Sequence, residues 1–255
     1  MSTWIFLRGL TRESRHWGDF PEVFRKVIGD AEIVTLDLPG NGCLHRMESP
    51  LRVEQMADYC HTEMLSRRLK PPYVLLAMSL GAMVALAWAQ RHGDEVSGCV
   101  LINTSLRPFS PFRQRLRPRN YPVLLKHALL GGSPDEWEAT ILALTSNLAD
   151  KRTSILDAWV ALRCECPVSR SNTLRQLWAA SRYRADAKPA ARLLILASTQ
   201  DRLVDPCCSR QLASRWGCAF GEHPAAGHDI PLDDGPWVAR QVRDWLAMTP
   251  SSGSG

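Results

Sequence analysis

The chain alternates short apolar runs with segments of helical spacing, and that alternation admits few folds. WIFLRG (4–9), AEIVTLDLPG (31–40), YVLLAM (73–78), SGCVLINTS (97–105), ARLLILAST (191–199) and the weaker CAFGEH (218–223) each read as a strand. YVLLAM is continuous and apolar, the pattern of a strand buried on both faces. Residues 16–29, 51–69, 80–93, 205–216 and 235–248 space their apolar side chains as helices do. Strands alternating with helices predict crossover connections, hence an α/β fold with a mostly parallel, doubly wound sheet. Such sheets bind ligands beyond the carboxyl ends of their strands. Gly9–Leu10, Asp37 to Gly42, Ser79, Asn103 to Ser105, Asp201 and His228 all follow predicted strands.

The alternation stops between 107 and 189, where helical segments run over 135–149, 154–166 and 172–184. An insertion after a strand end sits over the edge where ligands bind. Residues 1–106 and 190–248 therefore read as one core, and 107–189 as a helical cap. A second independent domain is the alternative, disfavoured because the segment is short and the alternation resumes after it. Residues 249–255, rich in Gly and Ser, read as a disordered tail of the kind an expression vector appends.

With 45% hydrophobic and 22% charged residues, the composition is that of a soluble globular protein. Its apolar runs are too short to span a bilayer, and the N-terminus lacks the pattern of a secretory signal. Eight cysteines without an export signal read as reduced thiols in a cytoplasm. Cys164 and Cys166, and the adjacent Cys207 and Cys208, lack zinc spacing, and no H-x-x-x-H cluster occurs. No metal and no organic cofactor is expected. The net charge of +5 is uneven: Arg107 to Asn120 holds five arginines and no acid. That stretch is a solvated basic loop or a surface for an acidic partner. Without a basic and aromatic stripe on a binding fold, nucleic acid is not an expected partner.

Ser79 stands alone in LAMSLGA, at the junction of a buried strand and an Ala/Leu/Met-rich helix. A serine hydroxyl is a poor nucleophile near neutral pH unless a base takes its proton, usually a histidine oriented by a carboxylate. It must also protrude, as it does from a sharp strand-to-helix turn flanked by small residues, here Ala77 and Gly81.

These residues resemble the α/β-hydrolase fold family, in its capped, carboxylesterase-like branch. That branch includes enzymes similar to pimeloyl-carrier-protein methyl esterases. The family elbow is G-x-S-x-G, from which Ala77 departs. STQDRLVDP matches the family's acid loop at Asp201, and AAGHDIPLDD its last loop at His228. The order Ser79, Asp201, His228 is the family's. The resemblance implies a catalytic triad of those three residues. It also implies an oxyanion hole of the Leu80 amide and, from RGLT, the Leu10 amide. Arg8 replaces the usual His there, while Gly9 keeps the backbone free. DLPGNG (37–42) resembles the family's D-x-P-G-x-G turn, with no catalytic part assigned. Relative to the family, the sheet lacks the first two peripheral strands.

Rival readings remain within the chain. Ser79 could cap a helix, Asp205 could be the acid, and His16 or His223 the base. Asp229, Asp233 and Asp234 read as capping or loop acids, and His45, His61, His92 and His127 as surface or cap residues. The resemblance implies a small-molecule ester as substrate, with an acidic carrier protein at the Arg-rich cap as an alternative. A low-turnover ligand sensor on the same fold is the second class. A dehalogenase is disfavoured because that family's nucleophile is Asp. Trp137, Trp159, Trp178, Leu124, Leu125, Leu129 and Leu130 suggest an apolar acyl or aryl pocket, or simply bury the cap helices.

Overall fold

In the computed structural model, residues 2–148 and 152–248 are described. The tail expected at 249–255 lies outside them. Strands β1 (Ser2–Leu7), β2 (Ala31–Leu36), β3 (Tyr73–Met78), β4 (Val96–Ile102), β5 (Arg192–Ser198) and β6 (Ala219–His223) form one sheet in the order β2-β1-β3-β4-β5-β6. Every pairing is parallel, so the sheet is wholly rather than mostly parallel.

The two-residue period of a strand divides the core in two. Ile5, Leu7, Leu75, Ala77, Leu101 and Ile195 face α2 (Val53–Ser66), α3 (Leu80–Arg91) and α9 (Cys207–Trp216). Trp4, Phe6, Leu76, Met78, Val100 and Leu196 face α1 (Phe20–Ile28) and α10 (Ile230–Ala247). Fully burying one such side chain stabilises the fold by about 1.5–3 kcal/mol. From Leu80 to Ala89, α3 is buried on all sides, which explains its Ala-rich, almost uncharged sequence.

Five helices lie between β4 and β5: α4 (Phe112–Arg115), α5 (Tyr121–Leu130), α6 (Pro134–Thr145), α7 (Arg152–Glu165) and α8 (Arg170–Arg182). The Ala185 amide donates to the Arg107 carbonyl at 3.0 Å, joining the two ends of this segment. Helices α4 and α5 escape the sequence pattern. Pro111, Pro118 and Pro122 punctuate that stretch, and each of its helices is short. The helix expected at 16–29 is two pieces, a 3-10 turn at Ser14–Trp17 and α1, broken at Gly18. The last helix starts five residues early, at Ile230, and kinks at Asp234 before Pro236.

The order of β2, β1 and β3 creates a switch point between β1 and β3, where crossovers leave in opposite directions. A crevice opens beyond the carboxyl ends of the strands there. Gly9 and Ser79 flank it.

Candidate active site

Ser79 follows β3 with φ 54° and ψ −119°, positive-φ backbone that a non-glycine residue rarely adopts. The Ser79 amide donates to the Ile102 carbonyl at 2.9 Å, and the Ala82 amide returns to the Ser79 carbonyl at 3.1 Å. These bonds clamp the turn that projects the side chain. Gly81 is needed because a Cβ there would lie 2.5 Å from the carbonyl oxygens of Leu7 and Arg8. Ala77 is fully buried, and its methyl is accommodated in the core.

Asp201 and His228 meet. His228 Nδ1 lies 2.7 Å from Asp201 Oδ2, with both side chains buried. Asp201 Oδ1 accepts from the amides of Leu203 (2.7 Å) and Val204 (2.9 Å), which fix the carboxylate plane. Asn103, at φ 46° beyond β4, donates from Nδ2 to the His228 carbonyl at 2.7 Å and accepts from the Ser198 amide at 3.0 Å. It thus ties the His228 loop to the end of β5. Ser79 and His228 line the same cavity of about 490 Å³. No Ser79–His228 hydrogen bond closes among the described residues. Such bonds are often long without substrate and tighten when it binds.

The rivals are elsewhere. Asp205 Oδ1 accepts from the Cys207 amide at 3.0 Å, opening α9. His223 packs edge-on against Trp237 and bonds Asp234. His16 is buried against Trp159 and beside Arg12.

The loop after β1 turns back toward Ser79. The Arg12 amide donates to the Gly9 carbonyl at 3.2 Å, and Thr11 takes φ 57°. A Cβ on Gly9 would stand 3.1 Å from Ser79 Cβ. Leu10 and Leu80 both line the cavity. Leu80 opens α3, so its N–H belongs to the helix's first donors, which have no partner within the helix.

The comparisons with known proteins agree with this architecture. The family model described as "Alpha/beta hydrolase family" matches residues 4–241. The chain belongs to the α/β hydrolase family. It is similar to the pimeloyl-(acyl-carrier protein) methyl ester esterase of Chromobacterium violaceum, 26% identical over 230 residues that cover 90% of this chain and 78% of that one. Among solved structures, it resembles the enol-lactonase of Burkholderia xenovorans, with a TM-score of 0.77 at 19% identity, covering 97% of this chain and 92% of that one. A thermophilic esterase from Thermogutta terrifontis gives a TM-score of 0.73 at 19% identity, over 96% and 89% of the two chains. At such identities the structural likeness speaks to fold alone.

Sequence reading missed several supports of this α/β hydrolase site. Arg8, where the family often has His, makes a two-pronged ion pair with Asp229, the residue after His228. Asp229 also caps α10, and its amide donates to the Thr145 carbonyl at 2.7 Å. Asp233 Oδ2 accepts from Gly227 (2.6 Å) and Asn147 (2.9 Å), and Oδ1 from the Ser146 hydroxyl (2.6 Å). Burial pushes the Asp233 carboxyl up, while these donors pull the other way. The end of α6 is thereby fastened to the His228 loop. Gln176 of α8, fully buried, accepts from the Thr11 amide (2.9 Å) and donates to Asn41 Oδ1 (2.7 Å) and Ser49 Oγ (3.0 Å). Asn41 donates to the Arg12 carbonyl at 2.9 Å. The DLPGNG turn therefore braces the Gly9–Arg12 loop from below.

The cavity walls are mainly apolar, including Met78, Met83, Leu124, Trp137, Ile141 and Leu177. Its rim leaves Phe112, Leu125, Leu174 and Trp178 exposed. Trp159 instead stacks under the Arg12 guanidinium at 4.1 Å. The side chains of Leu129 and Leu130 lie outside the described residues. The five arginines of 107–120 part company. Arg107, Arg113 and Arg119 are exposed, Arg117 faces Asp205 at 3.9 Å, and Arg115 is buried in the cavity wall. There Arg115 donates to the Ser181 (3.0 Å) and Ala180 (2.6 Å) carbonyls, and burial pulls its pKa down to about 10. Among the described residues, no helix is long and apolar enough to cross a membrane.

Proposed function

We propose that the protein is a serine carboxylesterase with a triad of Ser79, His228 and Asp201. The observation that carries this reading is the buried 2.7 Å contact between His228 Nδ1 and Asp201 Oδ2, in a cavity that Ser79 enters from a positive-φ elbow. The Nδ1 contact leaves Nε2 to take the Ser79 proton as Oγ attacks the ester carbonyl. Asp201 holds the tautomer and stabilises the imidazolium. The Leu10 and Leu80 amides receive the oxyanion. Each such donor is worth about 2.7–4 kcal/mol in the transition state. Collapse of the tetrahedral intermediate breaks the carbon–oxygen bond, and His228 returns the proton to the departing alcohol. Water, deprotonated by His228, then releases the acyl group from Ser79. These steps need no metal or organic cofactor.

Residues 107–189 serve as the cap in this reading, and they set the substrate. An apolar cavity with an apolar rim suits an acyl chain longer than the cavity itself. A second reading, carrier-protein methyl ester hydrolysis, is favoured by the similarity to the Chromobacterium violaceum esterase and by exposed Arg107, Arg113 and Arg119. There an acidic partner would dock on the arginines and feed its tethered acyl group into the cavity.

Hydrolysis of p-nitrophenyl esters from acetate to long acyl chains, by wild type and Ser79→Ala, tests the proposal. Turnover should fall at least about 10³-fold in the variant. Undiminished turnover in folded Ser79→Ala would overturn it. Wild type that is labelled by a fluorophosphonate yet inert to free esters would move the assignment to the carrier-bound substrate or to a low-turnover sensor.

A further inference from the structure

The two segments that carry the exposed apolar side chains at the mouth of the cavity bear one sign of charge. Phe112 and Leu125 belong to 107–130, and Leu174 and Trp178 to 170–184. Each of the four is 42–53% exposed while lining the cavity that Ser79 enters. These two segments hold ten of the chain's 31 Lys and Arg and none of its 26 Asp and Glu. The rest of the chain is left with 21 basic and 26 acidic residues, so the positive charge of the protein is concentrated on the segments that build this mouth.

The charges stand beside the apolar side chains. Arg113 follows Phe112, and Lys126 follows Leu125. The Arg182 guanidinium lies 4.9 Å over the Trp178 ring. Arg113, Lys126 and Arg182 are exposed, and none of them has a carboxylate partner among the described residues. Other cations of the two segments are taken up within the protein: Arg115 by carbonyls of α8, Arg175 by Glu48 and Arg184 by Asp186. On α6, which also lines the cavity, Glu138 is buried between Arg12 and Arg163. Glu136 closes a capping box with Ser133, and Asp135 lies in the same first turn.

Large apolar side chains held in water, with unpaired cations next to them, are both satisfied where an apolar layer lies beneath a layer of anions. That is the order of an anionic lipid surface. Trp, Phe and Leu enter the boundary of the acyl chains, while Arg and Lys reach back to the phosphates on their long stems. Leucine is sparse among the energetic centres of protein interfaces and lysine is depleted from such interfaces, so this composition fits lipid better than the surface of an acidic protein. The cavity behind the rim is itself mainly apolar, which lets an acyl chain pass from the bilayer toward Ser79 along apolar side chains.

We propose that this mouth docks on the headgroup surface of an anionic lipid bilayer. Phe112, Leu125, Leu174 and Trp178 enter the lipid boundary, and Arg113, Lys126 and Arg182 meet the lipid phosphates. Docking sets the cavity entrance against a pool of acyl substrates. Delivery of a lipid-borne ester to Ser79 rests on the esterase assignment, whereas binding to the bilayer does not, so the two fail separately.

Cosedimentation of the whole protein with vesicles of phosphatidylglycerol and phosphatidylcholine, against vesicles of phosphatidylcholine alone, reads binding rather than turnover. At about 0.1 M salt the mixed vesicles should bind at least about tenfold more strongly than the neutral ones. Raising the salt to about 0.5 M should remove most of that difference. Arg113→Gln/Lys126→Gln/Arg182→Gln should weaken binding at least about tenfold. Leu125→Ser/Trp178→Ser, shown folded by circular dichroism, should weaken it by a similar factor. Arg25→Gln/Lys26→Gln, exposed on α1 and not lining the cavity, should bind as wild type does. Absence of a preference for the anionic vesicles overturns the proposal and leaves an acidic carrier protein as the occupant of this surface. So does unchanged binding in both mouth variants, or an equal loss in the α1 variant, which would mean that net charge alone attracts the protein.

Discussion

The guanidinium of Arg8 holds both carboxylate oxygens of Asp229, at 3.2 and 2.5 Å, with both side chains buried. This pair joins the Gly9–Leu10 loop to the residue after His228, so two parts of the proposed site share one strut. The Arg8 guanidinium also lies 4.7 Å over Trp17. Removing one partner strands a buried charge, so Asp229→Asn should lower stability by about 3–5 kcal/mol. Arg8→Met should lower kcat about 10–10²-fold through the displaced Leu10 amide, with KM little changed. In Arg8→Met/Asp229→Leu, part of the stability should return while kcat stays low. Denaturant melts and steady-state kinetics on the three variants check this, and wild-type kcat in Arg8→Met would show that the loop holds itself.

Gly81 of the elbow and Gly9 of the loop after β1 should fail in different ways. Gly81→Ala drives a methyl to 2.5 Å from two backbone carbonyls, and should cost both fold and activity. Gly9→Ala places a methyl 3.1 Å from Ser79 Cβ and 3.7 Å from Ser79 Oγ. It should keep the melting temperature within a few degrees yet cut kcat about 10²-fold by crowding the attack. Ala77→Gly, which restores the family residue, should retain activity and lose about 0.5–1 kcal/mol of stability.

Asp201→Asn keeps the shape of the acid and removes its charge. The amide then no longer dictates a proton on His228 Nδ1, and the base is lost in part of the population. A kcat reduction of about 10³–10⁴-fold is expected, with the fold intact by circular dichroism. Asp205→Asn serves as the control and should leave kcat within a few-fold, since Asp205 opens α9 and faces Arg117, whereas His228 pairs with Asp201. The reverse ranking of these two variants would reassign the acid.

Local chemistry made much of this architecture legible. Tyr73–Met78 reads as a strand to the residue because a continuous apolar run between Pro72 and Ser79 has no other stable use in a doubly wound sheet. Ser79, Asp201 and His228 stood out because each follows a strand within a short motif. Arg8–Asp229 did not, because its partners are 221 residues apart and each also fits an ordinary loop. Gln176 and Asn172 were hidden for the same reason, since a polar residue on a helix reads as solvent-facing until its neighbours are known.

Gln176 offers a sharp test of how the 107–189 segment supports the site. Its side chain satisfies the Thr11 amide, Asn41 and Ser49 in a fully buried place. Gln176→Leu matches the volume and leaves the Thr11 amide and Asn41 Oδ1 without this partner, while Ser49 keeps its bond to the Pro39 carbonyl, at about 1–3 kcal/mol for each group left unsatisfied. Stability should fall by more than about 2 kcal/mol, and kcat should fall with it because Thr11 adjoins the Leu10 amide. A stable variant with lowered KM and unchanged kcat would mean that this segment shapes the cavity without bracing the loop.

His16 should make the fold acid-sensitive above the carboxylate range. Burial is the main reason its pKa lies well below the ordinary 6.5, and the positive charges of Arg12 and Arg8 add to the effect. The folded state keeps it neutral while the unfolded chain takes up a proton as pH drops below about 6.5. Stability rises with pH wherever the unfolded state binds more protons, so this contribution is intact above 6.5 and is lost as pH falls toward the folded value. The slope is about 1.4 kcal/mol per pH unit at most. Urea midpoints for wild type should decline between about pH 6.5 and 5, whereas His16→Asn, lower in absolute stability, should decline less over the same window. Equal slopes in the two proteins would show that His16 is not the source of the acid sensitivity.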